Sequence, residues 1–171
     1  MQRFLVCSDI HGRIKNFEYA LREALYENID GVILAGDFEM DISTIKALIN
    51  ELSGENCGVK LYAVRGNCDS SGMAQGAPDF LLFNLNDKVK CFLTHGHNYQ
   101  VKYDLDTLQY VAEYKDAAVC VYGHTHIYED RVIGKTRFIN PGALRCGFDK
   151  PSYALLTVDG TKIDVLKRVI N

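Results

Sequence analysis

Apolar positions in this chain fall into two alternating kinds of stretch: short unbroken runs, and longer segments where they recur every three or four residues. Residues 3–8 are a run of the first kind, closed by the turn-forming pair Ser8-Asp9, and predict a short buried strand. Ile14, Phe17, Leu21, Ala24 and Leu25 then form one stripe and predict a helix. Residues 31–35 predict a second buried strand, ending at Gly36-Asp37. Ile42, Ile45, Ile49 and Leu52 mark a second amphipathic helix, closed by Ser53-Gly54. Residues 59–64 predict a third strand, ending at Arg65-Gly66-Asn67. Strands and helices in this alternation imply βαβ units with parallel strands and right-handed crossovers.

The second half has a different rhythm. Residues 80–85 and 89–94 predict paired strands across Asn86-Asp87. Leu105, Leu108, Val111 and Ala112 suggest one more helix, and residues 118–122 another buried strand. Beyond Gly123 the pattern predicts antiparallel strands: 128–133, a Gly134-Lys135 turn, 136–139, then 153–158 and 162–169 joined at Asp159-Gly160. An Asp-Gly pair between two strand runs is a strong hairpin signal. No repeat, low-complexity stretch or linker interrupts the chain, so the expectation is one mixed α/β domain over residues 1–171, with two sheets or one large mixed sheet.

Composition changes this picture little. The chain has 171 residues, 47% hydrophobic and 24% charged, and a length of this order buries roughly 70% of the unfolded surface. A formal net charge of −3, with no run of Lys or Arg, argues against a broad grip on nucleic acid. No apolar stretch approaches the ~20 residues of a membrane span. Of six cysteines, Cys7, Cys91 and Cys120 sit in apolar runs, where a reduced thiol behaves as a small hydrophobe, and no CxxC pair occurs. The chain enters its first strand with no leader pattern. A reduced, cytoplasmic protein is the expectation, with no membrane partner and homo-oligomerisation left open.

The chemistry concentrates elsewhere. Asp9-Ile10-His11-Gly12, Gly36-Asp37, Gly66-Asn67-Cys68-Asp69, His95-Gly96-His97 and Gly123-His124-Thr125-His126 each follow an expected strand, and together they hold all five histidines. Ligand sites in open α/β sheets lie at the carboxyl ends of strands, so blocks far apart in the chain should converge on one rim. Asp9/His11 and His124/His126 are i, i+2 pairs, which in an extended segment share one face. Singly, Asp9 or Asp37 could be a helix cap and Asn67 a turn residue; that reading does not explain them jointly. Imidazole nitrogen, carboxylate oxygen and amide oxygen together suit Mn2+, Fe2+, Zn2+, Co2+ or Ni2+ better than a thiolate-rich structural zinc.

The ordered set D-x-H, G-D, G-N-x-D, H-G-H and G-H-x-H, followed by Asn140-Pro141-Gly142, resembles the calcineurin-like metallophosphoesterase superfamily over about residues 3–145. In length and in its G-N-C-D block the chain is most similar to that superfamily's small bacterial and archaeal phosphodiesterases. The resemblance implies a two-sheet sandwich flanked by helices, an α/β/β/α arrangement of four layers. It implies two divalent ions, Mn2+ first, with Ni2+, Fe2+, Zn2+, Co2+ and Mg2+ also compatible. One would take Asp9, His11 and His126, the other Asn67, His95 and His124, with Asp37 bridging. The implied activity is hydrolysis of a small phosphate ester by a bound hydroxide, with Asn67, His97 and Asp37 as catalytic residues.

Cys68 departs from the pattern. Many phosphatases of the superfamily carry His here, oriented by the following acid and placed to protonate the leaving group. A thiol of ordinary pKa, ~8.5, is neutral at pH 7 and a weak donor, and Asp69 is left without its usual partner. Arg13 and Arg65 read equally as substrate contacts or as solvated arginines, and loops 38–41, 70–79 and 98–104 are expected to shape the pocket. Two other functions compete with a hydrolase. A non-catalytic scaffold, like the retromer subunit of similar fold, would be signalled by lost ligands; a nuclease, by a basic stripe. Neither signal is in the sequence.

Overall fold

The computed structural model describes residues 1–54, 58–69, 74, 76–147 and 149–171. Three parallel strands, β1 (Gln2–Cys7), β2 (Gly31–Leu34) and β3 (Lys60–Ala63), are linked by helices α1 (Ile14–Tyr26) and α2 (Ile42–Ser53). Then come the antiparallel pair β4 (Phe80–Asn84) and β5 (Lys90–Thr94), helix α3 (Asp106–Tyr114) and β6 (Val119–Val121). Two hairpins end the chain: β7 (Tyr128–Ile133) with β8 (Thr136–Pro141), and β9 (Ser152–Asp159) with β10 (Lys162–Val169). The strands form two five-stranded sheets, ordered β10-β9-β1-β2-β3 and β4-β5-β6-β8-β7.

Each sheet is apolar on both faces, which is why its central strands read as unbroken runs. Leu5, Cys7, Val32 and Leu34 pack with Phe17 and Leu21 of α1 and Ile45 and Ile49 of α2. The intervening residues Phe4, Val6 and Ile33 face the second sheet, meeting Leu93, Val121 and Ile139. On that sheet's far side, Phe92, Cys120 and Phe138 pack against Leu108 and Ala112 of α3. The result is the expected four-layer sandwich. Among the described residues no helix is long and apolar enough to cross a membrane. Cys7, Cys68, Cys91, Cys120 and Cys146 are free thiols, while Cys57 lies outside the described residues.

The pairing after Gly123 differs from the purely antiparallel expectation. β8 pairs antiparallel with β7 but parallel with β6. β9 then leaves this sheet and pairs antiparallel with β1 in the other. Local patterning cannot show this, because an apolar run has the same period in either orientation. The carboxyl ends of β1, β2 and β3 from one sheet and of β5 and β6 from the other therefore meet along one edge of the sandwich.

Candidate active site

Along that edge the loops are stitched to one another. Asp9 N–H donates to the Gly36 carbonyl at 3.0 Å, His11 N–H to Asp37 at 2.9 Å and Gly123 N–H to His95 at 3.1 Å. Asp9, His11, Asp37, Glu39, His124 and His126 all have left-handed backbone, with φ between 46° and 67°. For residues other than glycine this costs on the order of 1–3 kcal/mol each and is concentrated at functional sites. The i, i+2 pairs are thus not extended segments with a shared face. They are left-handed residues at alternate positions, repeated on three loops, and the expectation of a strand-like pair is corrected accordingly.

These turns bring together the side chains singled out in the sequence. Asp9 Oδ1 lies 3.0 Å from His126 Nε2 and 3.7 Å from His11 Nε2, and the two Nε2 atoms are 3.3 Å apart. Asp37 Oδ2 lies 3.3 Å from His95 Nε2 and 3.9 Å from His11 Nε2. Asn67 Oδ1 is 3.1 Å from His95 Nε2. Potential ligand atoms of Asp9, His11 and His126 form one close group and those of Asp37, His95 and His124 another. A third group, His11, Asp37 and Cys68, overlaps both sides. His97 stands beside them, its ring 5.4 Å from that of His95 and 6.1 Å from that of His124. It lines a cavity of about 400 Å³ with Arg65, Asn67 and Asp79. Arg65 is tied to Asp79 at 2.5 Å, and Arg13 is exposed.

Burial makes this arrangement costly without a cation. Asp9 is wholly buried and Asp37 nearly so. Asp9 Oδ2 accepts from Ser8 Oγ and from the His124 amide, but the buried Oδ1 receives no properly directed hydrogen bond despite the imidazoles near it. A carboxylate oxygen orphaned among ring nitrogens is what a divalent ion would satisfy, so the donor set fits one. Burial works to raise the Asp9 pKa, yet the nearby imidazoles of His11 and His126, the Ser8 hydroxyl and the charge of His95 hold it well below the carboxylate range. Asp37 is likewise lowered, burial being outweighed by His95 and the Cys68 amide.

The imidazoles divide. His11 is raised above 6.5, chiefly by the nearby Asp9 carboxylate, against burial, with help from Glu39. Burial lowers His95, but Asp37 and Asp9 more than compensate and its pKa is raised. His124 falls to about 4 through burial and the charges of His95 and Lys102. His97 is lowered, again first by burial. His95 Nδ1 sits 2.7 Å from the Ala35 carbonyl, a contact that needs the proton on Nδ1 and leaves Nε2 free as a ligand.

Several residues of the rim carried no functional role in the sequence reading. Glu39 Oε1 stands 3.4 Å from His11 Nδ1, and its only signal was that Asp37/Glu39 repeats the spacing of Asp9/His11. Asn140 Nδ2 donates to the Gly123 carbonyl and to Thr125 Oγ1, bracing the loop that carries His124 and His126. Asp69, without the histidine partner usual in the superfamily, accepts hydrogen bonds from the amides of Asp37, Glu39 and Gly66, each at 2.8 Å. It fixes the loop that positions Asp37. Of the loops expected to shape the pocket, 70–73 and 75 lie outside the described residues. The cavity beside His126 is lined by residues 125–127, 143, 145, 147, 149 and 150, and Asn98 of the 98–104 loop lines the one beside His97.

A family model for the calcineurin-like phosphoesterase superfamily domain matches residues 2–161. The chain is 32% identical to a probable metallophosphoesterase of Bacillus subtilis, YsnB, over 91% of this chain and 83% of that one. It is 28% identical to the phosphodiesterase YfcE of Escherichia coli K12, over 93% and 89%. Among solved structures, a conserved phosphoesterase-like protein of Streptococcus pneumoniae aligns with a TM-score of 0.78 at 29% identity, covering 98% of this chain and 89% of that one. The Vps29 protein of Entamoeba histolytica, at 20% identity and a TM-score of 0.74 over 99% and 100%, shares the fold.

Asp69→Ala should destabilise the protein by about 2 kcal/mol or more, since it strands three loop amides, two of them buried, and should also lower metal uptake although Asp69 is no ligand. Urea unfolding and metal analysis of the purified variant check both; full metal content would show that Asp69 does not position Asp37. A metal ion takes imidazole only in its neutral form. His11 and His95, raised above 6.5, must shed protons on metal uptake, whereas His124, near 4, has none to lose at neutral pH. Affinity for Mn2+ should therefore tighten as the pH rises between about 6 and 8, with proton release visible by calorimetry in buffers of different ionisation enthalpy.

Proposed function

This chain belongs to the calcineurin-like phosphoesterase superfamily, and from that premise we propose that it is a phosphodiesterase acting through two divalent ions, Mn2+ first among them. The observation that carries the reading is the position of Asp37, whose carboxylate belongs to the group with His95 and His124 and also to the group with His11. Asp9, His11 and His126 would hold one ion and Asn67, His95 and His124 the other, with Asp37 shared. The match over residues 2–161 supports reading the whole chain as one such domain.

Two bound divalent ions would supply positive charge for the phosphoryl oxygens and make water a competent nucleophile near neutral pH. Against the carboxylates of Asp9 and Asp37 they leave a local charge of about +2, which suits a phosphate diester. The chain's own residues do the rest. Asp69 and Asn140 hold the loops from which ligands project, and the Ala35 carbonyl sets the His95 tautomer. His97 lines the cavity shared with Asn67, and its ring would meet a phosphoryl oxygen there. A non-catalytic scaffold is the weaker reading, because none of the candidate ligands has been replaced.

Proton supply to the leaving group is where this site is poor. The Cys68 thiol accepts a 3.2 Å contact from Asn67 Nδ2. In the metal-free protein partial desolvation, then the Asp37, Glu39 and Asp69 carboxylates, push the pKa of this exposed thiol up to about 12, rather than leaving it at the ordinary thiol value expected from sequence. Such a group gives up a proton reluctantly, and general acid catalysis is typically worth about 10²–10⁴-fold. Substrates whose alcohol leaves unaided are favoured.

With Mn2+ bound, the protein should hydrolyse bis(p-nitrophenyl) phosphate and act poorly on alkyl phosphomonoesters. Asp37→Asn should lower activity by at least about 100-fold and deplete both metals together; two metals retained at near-normal turnover would show that Asp37 does not bridge. Cys68→His should raise kcat/KM for alkyl monoesters selectively. The gain should fall short of the full acid-catalytic factor, because three amides already engage the Asp69 carboxylate that would orient the ring. Equal wild-type rates on aryl and alkyl esters would place the proton donor elsewhere, with His97→Ala the variant to measure next.

A further inference from the structure

Beside His126 the rim opens into a cavity of about 690 Å³, a size typical of small-molecule sites. His126 belongs both to this cavity and to the cluster with Asp9 and His11, so the cavity adjoins the place where a phosphate would be held. One part of the lining is apolar: Ala143, and Ile127, which leaves 61% of its surface exposed. The other part is charged, with Arg145, Asp149 and Lys150, all exposed.

The charges are unbalanced. Among the described residues Arg145 makes no ion pair, and the Lys150 ammonium donates to the neutral amide oxygen of Asn171 at 3.0 Å. Two cations thus face the cavity against the single carboxylate of Asp149. The cavity on the His97 side is different, because there Asp79 already engages the guanidinium of Arg65. A diester has two arms, and the two sides of the rim differ in the arm they suit.

Resting on the phosphodiesterase reading above, we propose that the His126-side cavity receives one ester arm of the substrate, and that this arm carries an apolar ring and a second anionic group beyond it. Ile127 and Ala143 take the ring. Arg145 and Lys150 take the anion, the guanidinium through paired N–H donors and the ammonium as a point charge. A nucleoside bearing a further phosphate has this chemistry, whereas an arm ending in a cation is disfavoured.

Calorimetric titration of the Mn2+-loaded protein reads the proposal without turnover. Thymidine 3′,5′-bisphosphate should bind about tenfold more tightly than thymidine 5′-monophosphate, which lacks the second anion, and more tightly than deoxyribose 5-phosphate, which lacks the ring. Reversing both charges, Arg145→Glu with Lys150→Glu, should abolish the bisphosphate preference. The same variant should shift hydrolysis towards p-nitrophenyl phosphorylcholine relative to the p-nitrophenyl ester of thymidine 3′,5′-bisphosphate, a gain that a misfolded protein does not show. A wild type indifferent to the second phosphate, or a preference that survives the double reversal, overturns the assignment. Hydrolysis of bis(p-nitrophenyl) phosphate is followed in parallel. If wild type hydrolyses it and shows no bisphosphate preference, the cavity assignment alone fails; if wild type does not, the phosphodiesterase reading fails and takes this assignment with it.

Discussion

Burying Asp9 and Asp37 at the meeting edge of two sheets sets the condition that the surrounding structure has to satisfy. A carboxylate out of water needs opposite charge or several donors close by, or it will take up a proton instead. Here the donors are supplied in detail: Ser8 Oγ and the His124 amide for Asp9, the Cys68 amide for Asp37, and imidazoles around both. Glycine is required where the packing leaves no room. A methyl group at Gly66 would collide with the Asp37 carboxylate, and one at Gly123 with Ser8 Oγ. The left-handed residues belong to the same requirement, because each lets a short loop aim a side chain that a relaxed backbone would direct elsewhere.

Most of the fold was legible because the layers are distinct. Strands apolar on both faces, such as Gly31–Leu34, read as unbroken runs, while α1 and α2 have one wet face and show the helical period. The return of β9 to pair with β1 was not legible. The hairpin signal at Asp159-Gly160 fixes how β9 meets β10 and says nothing about which sheet receives the pair. The members of the candidate site were legible as a group because histidine is scarce and every one lay in a glycine-containing block after a strand.

What the sequence hid was the work of the supporting residues. Asp69 sits in a recognisable block, yet its three amide bonds depend on how the loops after β2 and β3 fold against each other, and spacing alone does not carry that. The i, i+2 spacing does not by itself identify an extended segment, since alternation arises from left-handed turns as readily as from extended chain. Arg145 and Lys150 had no motif around them at all. They matter only because the segment after β8 passes beside His126.

The two close groups of ligand atoms both draw on both sheets: Asp9 and His11 follow β1 while His126 follows β6, and Asp37 follows β2 while His95 follows β5. An ion in either group would therefore be a rivet through the sandwich as well as a reagent. Anything that binds the folded form alone adds to its stability by mass action, about 2.7 kcal/mol when the free ligand is a hundredfold above its dissociation constant. On the two-metal reading, cofactor supply and resistance to unfolding would be coupled in this protein. A cell short of the metal would lose active enzyme twice over, first as empty sites and then as sheets free to part and be degraded.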